Sequence, residues 1–337
     1  MTMLQTLIEP SLGAAQTARF LKCVALDPAL DTPQANTVPR AQFAMALNII
    51  LLAQLLERVP TGAAYVADIE ARGDTLVFDH GALRTIKLPR GDTGALPAGE
   101  LAFRRILEPL GYADVADYPL PKLKMMGRAY CHADFPDAIP QYFLSELFVD
   151  QLPEDAQAAA QRVFGASVDP LDATALAALK AFADTGECPL DLALATLPTI
   201  VKAFDRQHPT PTLADYQMLK ACSAEAAWIA TEGNAFNHAT DRVAHVEAVA
   251  DGQRALGRAV KDRLEVSASG RVRQTAFRAD WLEREFIDEA GATVAVKVPG
   301  SFFEFISRDT DPATGALDLA FDSGNATGIF AMTKAIG

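Results

Sequence analysis

The chain has 337 residues, of which half are apolar and 22% are charged, so it is neither a small disulfide-stabilised scaffold nor a disordered protein. Its formal net charge of -13 argues against nucleic acid or an anionic membrane as a partner, because the average field repels phosphate groups. The four cysteines lie far apart without a CxxC pair, which is typical of reduced thiols and predicts a cytoplasmic protein.

Residues 1–60 are predicted to form an N-terminal helical segment. The run 40–58 is rich in Ala, Leu and Ile, and Pro60 and Gly62 follow it as stop signals, which predicts one buried core helix. Its most apolar part, 43–56, contains polar residues and is shorter than the roughly 20 residues of a bilayer span. The N-terminal sequence has no basic flank and no A-x-A site, so no secretory signal is expected.

Strand patterns occupy two separated regions of the remaining chain. Branched and apolar residues around a glycine at 75–88 predict a strand in a first sheet module, 61–150. Runs of Ala and Leu punctuated by proline predict a helical insertion at 151–230, and alternating patterns return in a second sheet module, 231–337. This order favours an α+β fold over alternating βαβ units. No sequence repeat is visible by eye, which leaves a repeat of structure open.

Two of the five histidines have a distinctive context. His80 in VFDH and His238 in AFNH each follow an apolar approach and precede small residues, which leaves room for a ligand. A histidine packed at a strand end is the plainer interpretation of each, because the two are far apart in sequence and form no local metal motif. His208, in the proline-rich turn RQHPTPT, is predicted to be a solvated surface residue.

Glu304 is the acidic residue of the aromatic run GSFFEFISRD. A lone carboxylate in an apolar core is costly, so this side chain either points outward or faces a cation. In an extended strand Glu304 shares a face with Phe302 and Ile306, which suggests a concave sheet surface. Two imidazoles and one carboxylate are the ligand set of non-haem Fe(II) oxygenases, and we hypothesise that His80, His238 and Glu304 form such a set.

Arg84 is a candidate for binding substrate. In an extended strand it lies four residues from His80 on the same face, about 13 Å away at ~3.3 Å per residue. Its guanidinium could hold the carboxylate of a bound acid by paired hydrogen bonds. The alternative is a surface arginine in a salt bridge.

Several longer motifs are similar to those of one enzyme family. The runs FDHGALRT, YFLSELFVD, TEGNAFNHATDRV, GSFFEFISR and the terminal FDSGNATGIFAMT resemble the 2-oxoadipate dioxygenase/decarboxylase family, also called hydroxyglutarate synthase. The resemblance implies a fold of the vicinal-oxygen-chelate (glyoxalase/dioxygenase) superfamily, in which βαβββ-type modules form a cupped sheet around one metal, with helical insertions outside. It also implies that His80, His238 and Glu304 bind Fe(II) and that Arg84 engages a substrate carboxylate.

The resemblance further implies the reaction. A 2-oxo acid, with 2-oxoadipate as the expected substrate, would react with O2 to give 2-hydroxyglutarate and CO2, without separate 2-oxoglutarate. Two alternatives stay open: lyase, isomerase or hydrolase chemistry on Zn2+ or another divalent metal, since the same ligands suit zinc, and a non-enzymatic 2-oxo acid binding protein. The expected partners are thus a small acid and O2, with no nucleic acid and no membrane, and the oligomeric state is not predicted.

Overall fold

The computed structural model describes residues 1–321, so nearly all of the motif FDSGNATGIFAMT lies outside the described residues. The helices of this range are α1 (Met3–Cys23), α2 (Arg40–Arg58), α3 (Pro60–Arg72), α4 (Leu101–Leu107), α5 (Glu154–Phe164), α6 (Ala173–Thr185), α7 (Leu190–Lys202), α8 (Leu213–Cys222), α9 (Ala224–Glu232) and α10 (Val246–Ala255). The strands are β1 (Thr37–Pro39), β2 (Phe78–Lys87), β3 (Tyr112–Leu120), β4 (Met125–His132), β5 (Gln141–Phe148), β6 (Glu187–Pro189), β7 (His238–Arg242), β8 (Glu265–Val266), β9 (Val272–Ala276), β10 (Trp281–Ile287), β11 (Thr293–Pro299) and β12 (Phe302–Arg308).

Eight of these strands form one curled sheet in the order β3-β4-β5-β2-β7-β12-β9-β8. Each half of the sheet has the same connectivity: a first strand, a helix, and three further strands, with the first and fourth strands paired in parallel. These parallel pairs are β2 with β5 and β7 with β12, and a β10–β11 hairpin is inserted before β12. The antiparallel pair β2–β7 joins the two βαβββ modules. The predicted α+β fold with a cupped sheet is confirmed, and the structural repeat is present.

The two modules meet at equivalent residues of β2 and β7. Gly81 is opposite Ala239, so FDHGA (78–82) and FNHAT (236–240) occupy matching positions, with His80 and His238 each preceding the central pair. A Cβ atom at Gly81 would lie 2.3 Å from the ring of Phe236, so glycine permits this close approach. The sequence therefore contains a short trace of the structural repeat.

Helix α2 is the central helix of the main core, as predicted. It is buried along most of its length and packs with α1, α3 and α7 behind the sheet. The prediction that Pro60 ends helical structure is wrong: Pro60 begins α3, because a residue without a backbone N–H is well suited to the first turn of a helix.

Membrane insertion was tested on helix length and composition. Within residues 1–321 no single helix is long and apolar enough to cross a membrane. The bent pair α2 and α3, at 117°, meets that test only when its members are joined.

A second apolar cluster covers the end of the sheet where β2 finishes. Helices α5, α8 and α9 pack there against residues of β2, β5 and the β10–β11 hairpin. His208 is buried beside this cluster, contrary to the predicted surface position. Its ring packs edge-on against Phe164 at 5.1 Å, and its nitrogens contact the carbonyls of Pro209 and Ile229. A proline-rich turn is thus compatible with an inward-facing histidine whose polar atoms are satisfied.

Candidate metal centre

His80, His238 and Glu304 meet on one face of the sheet. They lie on β2, β7 and β12, and each is at most 2% exposed. One ligand atom from each residue lies within 4.8 Å of the other two. His238 Nε2 is 3.4 Å from His80 Nε2 and 3.5 Å from Glu304 Oε2. Strand pairing causes this convergence, because Thr240 is opposite both His80 and Glu304.

A buried ion pair orients His80. Asp79 Oδ1 lies 2.8 Å from His80 Nδ1, and Arg308 donates to both oxygens of Asp79 at distances between 2.9 and 3.1 Å. Burial acts to raise the pKa of Asp79, but Arg308 and His80 hold that pKa well below its ordinary value. An ionised Asp79 accepts the Nδ1 proton, so Nε2 of His80 is the atom left to bind a metal.

Burial disfavours the charged forms of His238 and Glu304. Burial, followed by the charges of His80 and Arg84, lowers the pKa of His238 well below its usual value. Burial, followed by the charge of Glu265, raises the pKa of Glu304 well above its usual value. Neutral imidazole is the form that binds metal ions.

The carboxylate of Glu304 gives the test of whether these residues fit a metal ion. Among the described residues neither of its oxygens has a hydrogen-bond partner, and a buried carboxylate in that state is costly. A divalent cation would satisfy it, and two imidazoles with one carboxylate suit iron or zinc. The donor set therefore fits a single first-row metal ion.

Thr240 is a site residue that the sequence analysis did not single out. It is fully buried between His80 and Glu304, and its Oγ1 is 3.1 Å from His80 Nε2. The hydroxyl can therefore contact a group bound beside His80.

Arg84 is buried on the same strand as His80, so the alternative of a surface arginine is wrong. Its guanidinium carbon lies 4.9 Å from the ring of Trp228 on α9, the helix that covers this end of β2. Burial, opposed by the charge of Glu225, lowers the pKa of Arg84 to about 10, so it is a cation at neutral pH. Trp228 and Glu225 also line a cavity of about 370 Å³.

Residues 309–321, which we call the C-terminal segment, return to the site after β12. The ring of Phe321 lies 4.8 Å from the His80 ring and 4.9 Å from the Phe143 ring. The backbone N–H of Phe321 also donates to the hydroxyl of Tyr118 on β3. The segment therefore covers part of the concave face beside His80.

Four residues around the predicted site were missed from the sequence: Asp79, Arg308, Thr240 and Trp228. Asp79 and Thr240 could have been found, because they belong to the matched words FDHGA and FNHAT. Arg308 pairs with Asp79 across 229 positions of sequence, and no local pattern marks such a contact. Trp228 likewise reaches Arg84 only through the packing of α9 on the sheet.

Comparison with known families gives one extensive match. The sequence model of a family described as 2-oxoadipate dioxygenase/decarboxylase matches residues 35–313, a range that includes His80, His238 and Glu304. No curated protein matches the chain significantly.

Solved structures with the same fold include proteins of two descriptions. A protein from Ralstonia eutropha JMP134, provisionally assigned to the glyoxalase superfamily, is 48% identical, with a TM-score of 0.90 over 95% of this chain and 98% of that one. Hydroxyglutarate synthase from Oryza sativa, in complex with 2-oxoadipate, is 21% identical, with a TM-score of 0.67 over 90% and 97%. The Pseudomonas putida enzyme, also with 2-oxoadipate, is 19% identical, with a TM-score of 0.56 over 89% and 74%. At these lower identities the likeness shows the fold.

Proposed function

Because this chain belongs to the 2-oxoadipate dioxygenase/decarboxylase family, we propose that it converts a 2-oxo acid and O2 into a 2-hydroxy acid and CO2. The proposed substrate is 2-oxoadipate, whose six carbons are recovered as 2-hydroxyglutarate and CO2, with both atoms of O2 in the products. The observation that carries the proposal is the convergence of His80, His238 and Glu304 in one buried cluster.

His80, His238 and Glu304 are proposed to hold Fe(II), which when bound would supply the activation of O2 and the redox chemistry. The protein contributes a neutral His80 with Nε2 available, a neutral His238 and a carboxylate in need of a cation. Three protein donors leave positions on an iron ion for a chelating 2-oxo acid and for O2. The buried surroundings of the cluster exclude bulk water from the reacting groups.

Arg84 is proposed to bind the carboxylate of 2-oxoadipate that is remote from the keto group. It lies on the strand of His80, four residues further along, and it is a buried cation at neutral pH. A guanidinium can donate two parallel hydrogen bonds to a carboxylate, which fixes both position and direction. Trp228 supports the guanidinium plane from one side. A dicarboxylic acid would thus be held at both ends.

The test is coupled turnover of the purified protein. Protein prepared without oxygen and loaded with Fe(II) should consume O2 and release CO2 and 2-hydroxyglutarate in equal amounts when given 2-oxoadipate. His80→Ala should abolish this turnover, whereas His245→Ala, at an exposed position, should leave it unchanged. Turnover without O2 uptake on a zinc-loaded sample would instead indicate non-redox chemistry. Metal-independent binding of 2-oxoadipate without turnover would indicate a binding protein.

A further inference from the structure

Arg308 is the most extensively bonded buried cation beside the metal centre. Its side chain is 0% exposed and donates to Asp79 on one side. On the other side its Nη1 donates to the backbone carbonyls of Asp318 and Ala320, at 2.9 and 2.8 Å. Its guanidinium carbon also lies 5.2 Å from the ring centre of Phe321. One guanidinium therefore joins the ion pair behind His80 to the C-terminal segment.

Both groups that Arg308 holds also touch His80. Asp79 Oδ1 contacts its Nδ1 at 2.8 Å, and the ring of Phe321 packs edge-on against its imidazole at 4.8 Å. His80 is therefore fixed from two directions, and Arg308 is common to both.

The other ion pairs of the C-terminal segment lie nearer to solvent. Arg273 pairs with Asp309, and Arg271 pairs with Asp318, through side chains that are 22% and 33% exposed on the arginine side. Ion pairs of this kind contribute little to stability. Arg308 is thus the buried anchor of the segment, while Arg271 and Arg273 offer matched positions that do not contact Asp79.

Only an arginine can serve these acceptors together. Its planar fork presents five N–H donors, enough for a carboxylate and two carbonyls at once, whereas a lysine ammonium is a compact point charge. If the segment moved away, Arg308 would lose the two carbonyls and become open to water, and its hold on Asp79 would weaken. Conversely, a metal ion that fixes His80 would favour the Asp79–Arg308 arrangement that holds the segment. Coupling of this kind acts equally in both directions.

We propose that Arg308 is a positioning residue that couples metal binding by His80 to docking of the C-terminal segment over the site. The inference rests on the metal centre of the proposed function and assigns the coupling to one side chain.

Hydrogen exchange and metal affinity test the coupling without using activity. The probe is Co(II), with its affinity measured by competition against a chelator and with exchange of the amides of residues 309–321 followed by mass spectrometry. In the unmodified protein Co(II) should slow exchange in this segment. In Arg308→Gln the affinity should fall at least about tenfold, the scale known for partners of metal-binding histidines. The segment should also exchange rapidly with or without Co(II).

Arg271→Gln is the control, because it loosens the segment through Asp318 and leaves Asp79 and Arg308 in place. Its exchange should be faster, while its Co(II) affinity stays within about threefold, as expected for a partly exposed pair. Equal losses of affinity in Arg271→Gln and Arg308→Gln would overturn the assignment to Arg308. Unchanged Co(II) affinity in Arg308→Gln would overturn the coupling while leaving the proposed function intact.

Two further outcomes are also decisive. If Arg308→Gln does not fold, Arg308→Lys retains the charge opposite Asp79 and should show the same loss of segment protection, whereas unmodified behaviour in that variant contradicts the proposal. If the unmodified protein itself fails to bind Co(II), the metal centre and the proposed function fail together with it.

Discussion

Arg84 combines a permanent charge with complete burial on the strand of His80, and a group of this kind is maintained at a cost in folding free energy. Its value to the protein is expected to lie in the ligand that it recognises. A residue that binds one end of a substrate should affect substrates that possess that end and leave the others nearly unchanged.

We predict that Arg84→Gln lowers kcat/KM for 2-oxoadipate about 100-fold, on the order of 3 kcal/mol for a lost charged hydrogen-bonding partner. Turnover of 2-oxohexanoate, which lacks the second carboxylate, should change much less. Oxygen-electrode rates with both acids give the ratio directly, and the exposed Arg90→Gln is the matched control. An equal loss for the two acids would mean that Arg84 supports the fold and does not select substrate.

Glu304 illustrates the opposite case, a group that burial destabilises until a ligand arrives. With no metal, its carboxylate has no hydrogen-bond partner among residues 1–321. We predict that Glu304→Gln is more stable than the metal-free unmodified protein by about 1–3 kcal/mol, because an amide costs less to bury than a carboxylate. The same substitution should abolish the rise in Tm that a divalent metal produces. Thermal unfolding with Zn2+ and with a chelator measures both effects, and a less stable metal-free variant would contradict this account.

At the scale of elements, the end of β4 depends on one buried histidine. His132 Nδ1 accepts hydrogen bonds from the backbone N–H groups of Asp134 and Phe135, which turn the chain away from the strand. Burial lowers the pKa of His132 to about 4, since protonation in this place is unfavourable. Protonation would also remove the acceptor on which the turn depends.

The sign of the resulting pH dependence follows from this lowered pKa. Above the unfolded pKa of about 6.5, His132 is neutral in both states and its stability contribution is complete. As the pH falls from there toward 4, the unfolded chain binds a proton that the folded protein does not. By pH 5 the loss should reach about 2 kcal/mol.

We predict that His132→Asn, which keeps an acceptor for the turn, loses less stability than the unmodified protein between pH 7.5 and 5. Urea unfolding of the metal-free protein at the two pH values measures the difference. The exposed His245→Asn should behave like the unmodified protein. Identical pH dependence in His132→Asn would show that His132 titrates normally.

The elements that the sequence predicts well are those whose own residues determine them. The apolar run of α2 and the branched residues of β2 show their structure locally, and both elements are found where expected. Pro60 was misinterpreted because the same residue suits the end of one helix and the start of another. Pairing between distant strands cannot be read from either strand alone, so the meeting of His80, His238 and Glu304 was reached only through family resemblance.

At the scale of the whole molecule, the two modules are alike in pairing but differ in one chemically decisive residue. Glu304, Thr240 and His80 form one row across β12, β7 and β2. The matching row of the other module is Phe143, Ala82 and His238, across β5, β2 and β7. Phe143 therefore occupies the position equivalent to Glu304, so a second carboxylate is replaced by an aromatic ring. An asymmetric set of three donors leaves more of a metal ion open to substrate than a symmetric set of four.

This comparison predicts the consequence of restoring the symmetry. Phe143 is 6% exposed and its ring contacts Phe321 and Tyr118, so a carboxylate placed there would lack a cation unless a metal is bound. Phe143→Glu should therefore lower the stability of the metal-free protein and increase the rise in Tm on adding Zn2+. It should also slow the removal of metal by a chelator about tenfold or more, because a fourth donor is supplied, and abolish O2 uptake with 2-oxoadipate. Phe143→Leu keeps the site apolar and should retain metal affinity and measurable turnover. If Phe143→Glu folded and kept both the original metal affinity and turnover, the equivalence of the two rows would have no bearing on the metal centre.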